Sequence, residues 1–139
     1  APEGKLLGPV GRYLYEPDGA VIRAGLVTDL AQHLGAHLVP PAIAYLSSDT
    51  LVETPLARAY RIDAVHDFHL KSLRRWAKET GVGRLDVKKR GVRETPEEVR
   101  RQVLGGSKGG RAAAGGRHAT LVLARVGERR FALEVTPLD

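Results

Sequence analysis

The 139-residue chain contains no cysteine and no methionine. Without cysteine there can be no disulfide bond, no thiolate catalysis and no cysteine-ligated zinc or iron–sulfur site, and this agrees with a reducing cytosol. The chain begins with Ala1 instead of a start methionine, so we expect it to be a piece of a longer protein. We interpret residues 1–7 as a linker or a cloning remnant and residues 8–136 as one folded domain.

Long apolar runs and aromatic residues are also scarce. No apolar run approaches the roughly 20 residues that a membrane-spanning helix needs, and no secretion signal stands at the N-terminus, so we expect a cytoplasmic protein without membrane contact. Aromatic residues make up 5% of the chain. Binding of single strands depends on bases stacking on rings, so this small supply favours recognition of folded RNA by shape and phosphate contacts. Trp76 adjoins an apolar helix stripe, and we interpret it as a partly buried packing residue.

The sequence also lacks the motifs of a catalytic or cofactor site. Ser47-Ser48-Asp49 has no Gly-x-Ser-x-Gly turn around it, and we interpret it as a loop whose side chains satisfy backbone groups. The glycine-rich residues 105–116 resemble a phosphate loop only in composition, and we expect a mobile loop there. No Gly-x-Gly-x-x-Gly follows a strand. We therefore predict no catalytic residue and no cofactor site in this piece.

The histidines do not predict a metal site. Two pairs have a spacing that a helix could use, His33 with His37 and His66 with His69. Gly35 interrupts the first pair, and the second straddles a predicted strand-to-helix turn. We therefore predict no metal in this piece.

Positive charge is abundant and concentrated. Between Arg84 and Arg130 there are thirteen Lys or Arg and five Asp or Glu, whereas the remaining residues carry nine basic and eleven acidic side chains. The net charge of +6 therefore comes from one stretch of +8, offset by −2 elsewhere, which indicates a phosphate-bearing partner. Residues 88–93 (KKRGVR) leave a predicted strand and approach a helix start, where guanidinium and backbone N–H groups can hold phosphates. The alternative is a solvated charged edge that discourages sheet pairing.

We predict a nucleic-acid-binding set of basic side chains from this stretch and from the helix before it. The set consists of Arg84, Lys88, Lys89, Arg90, Arg93, Arg74, Arg75 and Arg117.

Periodicity and turn signals predict an α+β fold (an α/β sandwich), with a mixed sheet, about three helices and a C-terminal β-hairpin. Strands are expected at 10–15, 42–46, 56–65 and 84–88, and the hairpin at 119–126 and 130–135. One amphipathic helix, with Asp18 as its cap, should end at Leu34, and another should cover 69–80. A third should begin with a Thr95–Glu98 capping box and end near Leu104.

Three segments carry a resemblance to a known family: residues 8–26 (GPVGRYLYEPDGAVIRAGL), 43–49 (IAYLSSD) and 81–91 (GVGRLDVKKRG). They resemble the C-terminal THUMP-like domain of bacterial class I S-adenosylmethionine-dependent methyltransferases, and the resemblance extends over most of the chain. It implies that an N-terminal methyltransferase domain of the same chain would hold S-adenosylmethionine and perform catalysis. The present piece, which would not itself be an enzyme, would recognise the substrate, RNA.

Two alternative functions remain open. The piece could be a structural extension that packs on the catalytic domain, with Tyr13, Tyr15 and Arg23 at the interdomain surface. It could also be a docking module for an acidic protein substrate, which would use the same basic side chains.

Overall fold

The structure, a computed structural model, describes residues 11–38, 45–89, 93–105, 116–126 and 128–138. Within these ranges the chain forms seven strands and four helices. In chain order they are β1 (Tyr13–Pro17), α1 (Gly19–Arg23), α2 (Val27–Leu34), β2 (His37–Leu38), β3 (Leu46–Ser48), β4 (Ala57–Asp67), α3 (Leu70–Thr80), β5 (Val82–Lys89), α4 (Pro96–Leu104), β6 (Arg117–Val126) and β7 (Arg129–Leu138). Residues 1–7, 39–44, 106–115 and Arg90, all of which enter the sequence predictions, lie outside the described residues.

The strands form one mixed sheet in the order β2-β3-β1-β4-β7-β6-β5. Strands β5 and β6 pair in parallel, and the other pairs are antiparallel. A parallel pair needs a crossover connection, and α4 lies in the connection between β5 and β6. The predicted α+β fold with a mixed sheet and a C-terminal hairpin is confirmed.

Helices pack on one face of this sheet in two pairs. Strand register and the alternation of side chains place both helix pairs on the same face. Helices α1 and α2 enclose a core with β1 and β3, whose buried members are Tyr15, Val21, Leu30, Ala31, Leu34 and Leu46. Helices α3 and α4 enclose a second core over β5 and β6, which includes Leu73, Ala77, Leu85, Val99, Val103, Leu121 and Leu123.

The opposite face of the sheet is strongly curled. Lys88 Nζ on β5 lies 3.2 Å from Glu16 Oε1 on β1, although four strand-to-strand steps of about 4.8 Å would separate these strands by about 19 Å in a flat sheet. Twist and coiling of the strands close this gap. The inner side of the curl buries a third core, which consists of Leu14, Tyr45, Tyr60, Val122, Ala124, Phe131, Leu133 and Val135.

Strand β4 contains a bulge that the sequence pattern does not predict. Its register on β7 shifts between Ile62 and Ala64. This bulge places Ile62 and Val65, three residues apart, on the same inner side of the sheet, where a regular strand would point them to opposite sides. The strand is confirmed, but Val65 remains 42% exposed.

The N-terminal helix prediction is wrong in its detail. Two short helices replace the single helix, because Gly25 between them has a φ of 73°, a conformation that interrupts a right-handed helix. Asp18 occupies the N-cap position of α1, but its side chain makes no capping hydrogen bond.

The other two helix predictions are confirmed. Helix α3 begins after His69, whose side chain accepts a hydrogen bond from the Ser72 N–H. Helix α4 begins with the predicted capping box. The Glu98 N–H donates to Thr95 Oγ1 at 3.1 Å and the Thr95 N–H donates to Glu98 Oε1 at 2.9 Å. Both helices end at the glycines that the sequence provides there.

Tyr15 is a core residue and does not lie at the molecular surface. Its ring is 0% exposed, and its hydroxyl donates to the Thr50 carbonyl at 3.0 Å and accepts from the Val52 N–H at 3.1 Å. The alternative that placed Tyr15 at an interdomain surface is therefore wrong for this residue. Tyr13 is half-buried and packs against the same core.

The serines of the Ser47-Ser48-Asp49 segment satisfy backbone groups, as expected, but from strand β3. Ser47 Oγ accepts from the Gly11 N–H and donates to the Tyr13 carbonyl, both at 2.7 Å. Ser48 Oγ donates to the Thr50 carbonyl at 2.7 Å. These hydroxyls therefore fasten the start of the described chain and the loop after β3 to the sheet.

Candidate nucleic-acid interface

The predicted basic residues do not converge on one small surface. Arg84 and Lys89 are five residues apart on β5, which corresponds to about 17 Å along the strand. Arg117 begins β6, beside the N-terminal end of β5, and Arg74 and Arg75 lie on helix α3. The described members of the set therefore form three groups: the C-terminal end of β5, its N-terminal end, and α3.

The first group gains further arginines from neighbouring strands. Lys89 pairs with Leu123 of β6, so Arg125 lies one step further along the same side of that strand. Arg125 in turn pairs with Arg130 of β7. Arg93 precedes α4 and adjoins Glu94, which contacts Arg130. Arg129 precedes Arg130 on β7 and points to the opposite side of that strand. We call the basic residues at this end of the strands, on either side of the sheet, the strand-end cluster: Lys89, Arg93, Arg125, Arg129 and Arg130.

Two arginines of the strand-end cluster are held in place by a carboxylate and an aromatic ring each. Arg130 Nη1 donates to both Glu94 carboxylate oxygens at 3.0 Å, and its guanidinium lies 4.7 Å from the Phe68 ring centre. Arg129 Nη2 donates to Asp67 at 3.0 Å and lies 4.9 Å from the Phe131 ring centre. Such contacts orient a guanidinium at the surface and leave its other N–H groups as donors.

The contacts of Glu94 favour its ionised form. Partial burial acts to raise its pKa, but hydrogen bonds that the carboxylate accepts from its own backbone N–H and from Arg130, together with the charges of Arg130 and Arg93, outweigh burial. The net result is a pKa below the ordinary value of 4.5. The cluster therefore has a fixed negative charge beside its arginines near neutral pH, and an anionic ligand has to compete with it.

The second group is largely occupied by contacts inside the protein. Arg117 Nε and Nη2 donate to the carbonyl and hydroxyl of Thr80, at 3.1 and 2.9 Å, and Nη1 lies 3.3 Å from Glu134. Its guanidinium also lies 5.9 Å from the centre of the half-buried Trp76 ring. Trp76 packs against the core under α3 and α4, which confirms its interpretation as a packing residue. Arg84 is exposed at this end of β5.

In the third group, Arg74 joins two helices. Its Nε donates to the Gln102 carbonyl of α4 at 2.9 Å. Arg75 is exposed on α3. The ordered guanidinium of Arg74 therefore supports the packing of α3 on α4.

Three arginines of the basic stretch are absent from the predicted binding set: Arg125, Arg129 and Arg130. The predicted hairpin around residues 127–128 places Arg125 and Arg130 opposite one another. It therefore could have predicted that these two arginines are neighbours. Their proximity to Lys89 depends on the parallel β5–β6 pair, which the sequence pattern does not specify.

The described part of the chain holds no group of three histidine or carboxylate side chains arranged to bind a metal ion. None of the described helices is both long enough and apolar enough to cross a membrane.

A family model described as "THUMP domain-like" matches residues 57–137, from β4 to β7. The match covers more than half of the chain. The chain belongs to the THUMP domain-like family. The match includes β5, α4 and the whole strand-end cluster, whereas β1–β3, α1 and α2 precede it.

Relatives of this THUMP-like domain include curated proteins of Mycobacterium tuberculosis, from strains CDC 1551 and H37Rv. Both are named uncharacterized S-adenosylmethionine-dependent methyltransferases, and each is 32% identical over 119 residues, or 86% of this chain. The chain spans 30% of the length of these relatives.

A solved structure from Porphyromonas gingivalis W83, described as that of a "putative methyltransferase", has the same fold. It matches 94% of this chain with a TM-score of 0.73 and 19% identity, and the match covers 30% of its own length. At this identity the likeness concerns the fold.

Proposed function

We propose that this THUMP-like domain binds an RNA substrate and presents it to an S-adenosylmethionine-dependent methyltransferase domain in the same chain. The observation that carries the proposal is the pattern of the matches. The chain belongs to a THUMP-like family, and it spans 30% of relatives that are named methyltransferases. In this proposal the rest of the protein performs the catalysis.

S-adenosylmethionine does not fit the described residues, which supports the proposal that another domain binds the cofactor. Nucleotide-type cofactors bind at a glycine-rich turn between a parallel strand and a helix. Here the parallel strand that leads towards a helix is β5, and it ends in Lys88 and Lys89. We therefore assign the cofactor to the methyltransferase domain.

The RNA surface that we propose is the strand-end cluster with Lys88. Arg90, which follows Lys89 in the sequence and lies outside the described residues, stays a predicted contact. Arginine forks match phosphate oxygens in geometry and charge. Arg84 and Arg75 are exposed but belong to the other two groups, so we assign them peripheral contacts. Arg117 and Arg74 donate to backbone carbonyls of the protein, so we assign them smaller contributions than the sequence-based set gave them.

Fluorescence anisotropy with a labelled tRNA tests this function. We expect binding at low salt that unlabelled tRNA displaces and that polyglutamate of matched total charge displaces far less. Absence of tRNA binding at low salt would contradict the proposal. Equal displacement by polyglutamate would favour a docking module for an acidic protein.

A structural extension is the second candidate, because two large apolar side chains near α1 are unusually exposed. Leu26 and Leu56 are each 48% exposed, and an interdomain contact would cover such side chains. In this case Leu26→Ser and Leu56→Ser would lower the melting temperature of the full-length protein. The same changes would not lower that of the isolated 139-residue chain.

A further inference from the structure

We propose that a cavity on the inner side of the curled sheet binds the phosphate of a single nucleotide unit. The cavity has a volume of about 300 Å³. Its polar lining consists of Arg58, Tyr60, Asp86, Lys88, Arg100 and Thr120. That the nucleotide belongs to an RNA substrate rests on the proposed function; the cavity itself does not depend on it.

The charge of the lining favours an anion. Three cationic side chains reach the cavity from three different elements: Arg58 from β4, Lys88 from β5 and Arg100 from α4. The lining contains one carboxylate, Asp86, which lies 2.7 Å from His118 Nε2. Even when Glu16, the partner of Lys88, is included, the formal charge of the site is +1. A phosphate group would therefore balance the charge that the curled sheet gathers here.

Two donors of the cavity, Arg100 and Lys88, are held by contacts that do not use all of their hydrogens. Arg100 Nε donates to the Leu85 carbonyl at 2.8 Å, which fixes the plane of the guanidinium and leaves its Nη groups as donors. Lys88 Nζ lies 3.2 Å from Glu16 Oε1, the same oxygen that accepts from the Tyr60 hydroxyl at 3.1 Å. Because donors that are already oriented lose little freedom on binding, such an arrangement favours affinity.

The walls of the cavity are rigid as well. Tyr60 is 1% exposed and Thr120 is 9% exposed, so the base belongs to the inner core. The Arg58 guanidinium lies 5.8 Å from the Tyr60 ring centre, and Arg58 is exposed, which places this cation at the rim. A ligand would therefore meet ordered side chains at the base and a charged side chain at the entrance.

The volume of the cavity restricts the size of the ligand, and comparison with a neighbouring cavity supports the choice of site. A volume of about 300 Å³ is at the lower end for small-molecule sites, which suits one nucleotide unit and excludes a duplex. A neighbouring cavity of about 570 Å³ also includes Arg58, but its other charged residues are Glu16 and Asp18. Its charge disfavours an anion, so we assign the phosphate to the smaller cavity.

The test is an NMR titration of the ¹⁵N-labelled chain with adenosine 5′-monophosphate, adenosine and inorganic phosphate in parallel. We expect saturable shifts of the Val87, Lys88 and Thr120 amides with the nucleotide, at least tenfold weaker binding of phosphate, and no saturation with adenosine. Arg58→Gln and Arg100→Gln should each weaken nucleotide binding about tenfold or more. Arg101→Gln is the matched control: it removes the same charge from an exposed position of α4 and should leave the affinity unchanged.

Absence of saturable shifts at these amides would overturn the inference, as would equal affinity for inorganic phosphate and nucleotide or equal affinity of all three variants. Since Arg100→Gln also removes a bond to β5, Arg58→Gln keeps the test independent of that strand. Anisotropy with tRNA separates this inference from the proposed function. Nucleotide binding without tRNA binding would refute only the RNA role, and tRNA binding without nucleotide binding would refute only the cavity.

Discussion

At the scale of single residues, two tyrosines of β1, on either side of Leu14 in the sequence, have different structural roles. Tyr13 and Tyr15 point to the same side of the strand. The Tyr15 hydroxyl joins β1 to the loop after β3 through Ser48, Thr50 and Val52, whereas Tyr13 contributes its ring to the edge of the same core. Sequence reasoning gave both the same surface role because alternation cannot distinguish a buried ring from a half-buried one.

Tyr15→Phe should therefore be more destabilising than Tyr13→Phe. Loss of the Tyr15 hydroxyl leaves the Val52 N–H without its acceptor, which costs about 1–3 kcal/mol. Tyr13→Phe should change the free energy of unfolding by about 0.5 kcal/mol or less. Urea denaturation of the two variants measures the difference, and equal losses would contradict the role assigned to the Tyr15 hydroxyl.

Glu94 gives a pH-dependent prediction. Its pKa in the folded chain lies below the ordinary value of 4.5, so its ionised form stabilises the fold above that pH. This contribution is lost as pH falls through the lowered pKa. Glu94→Gln should therefore lower the free energy of unfolding at pH 7 by less than about 1 kcal/mol, as expected for a partly exposed ion pair.

The difference between wild type and Glu94→Gln should shrink as the pH falls below the ordinary value of 4.5 in urea denaturation. Glu79→Gln, which removes the same charge from an exposed position of α3, is the control variant. A Glu94→Gln difference that grows as the pH falls would have the wrong sign for this ion pair.

At the scale of elements, the sequence predicts helix bounds that depend on contacts between neighbouring residues. The bounds of α4 follow from Thr95, Pro96 and Glu98, which satisfy the first backbone groups of the helix without help from the rest of the chain. The division between α1 and α2 was missed because Gly25 has a positive φ there, and a glycine within an amphipathic pattern does not reveal its φ. The bulge in β4 was missed because the partner strand β7, about 70 residues later, defines the register.

Substitutions of Gly81 test whether a left-handed backbone conformation ends α3. Its φ is 72°, and a Cβ atom added there would meet no atom within 4 Å, so substitution measures backbone strain alone. Gly81→Ala should cost about 1–2 kcal/mol of stability, and Gly81→Asn should cost less because asparagine tolerates this conformation. Thermal unfolding compares the two variants, and an asparagine variant less stable than the alanine variant would contradict this explanation.

At the scale of the whole molecule, long-range contacts determine the candidate sites. The ion pair between Glu16 and Lys88 joins residues 72 positions apart. The curl of the sheet that allows this pair also brings the cations of the inner cavity together. The sequence predicted that residues 84–130 carry the positive charge. It did not predict that the basic binding set divides among the two ends of β5 and α3, because the division depends on the order of the strands.

The salt dependence of tRNA binding tests the central claim most directly. We compare wild type with Lys89→Gln/Arg93→Gln/Arg125→Gln and with Arg12→Gln/Arg23→Gln/Lys78→Gln, which removes the same charge from exposed positions outside the proposed RNA surface. Each lost phosphate contact reduces the slope of log K against log salt by about one. We therefore predict a slope shallower by about two to three in the first variant and nearly unchanged in the second. Equal slopes for the two variants, or no binding by the wild type, would contradict RNA recognition through the strand-end cluster.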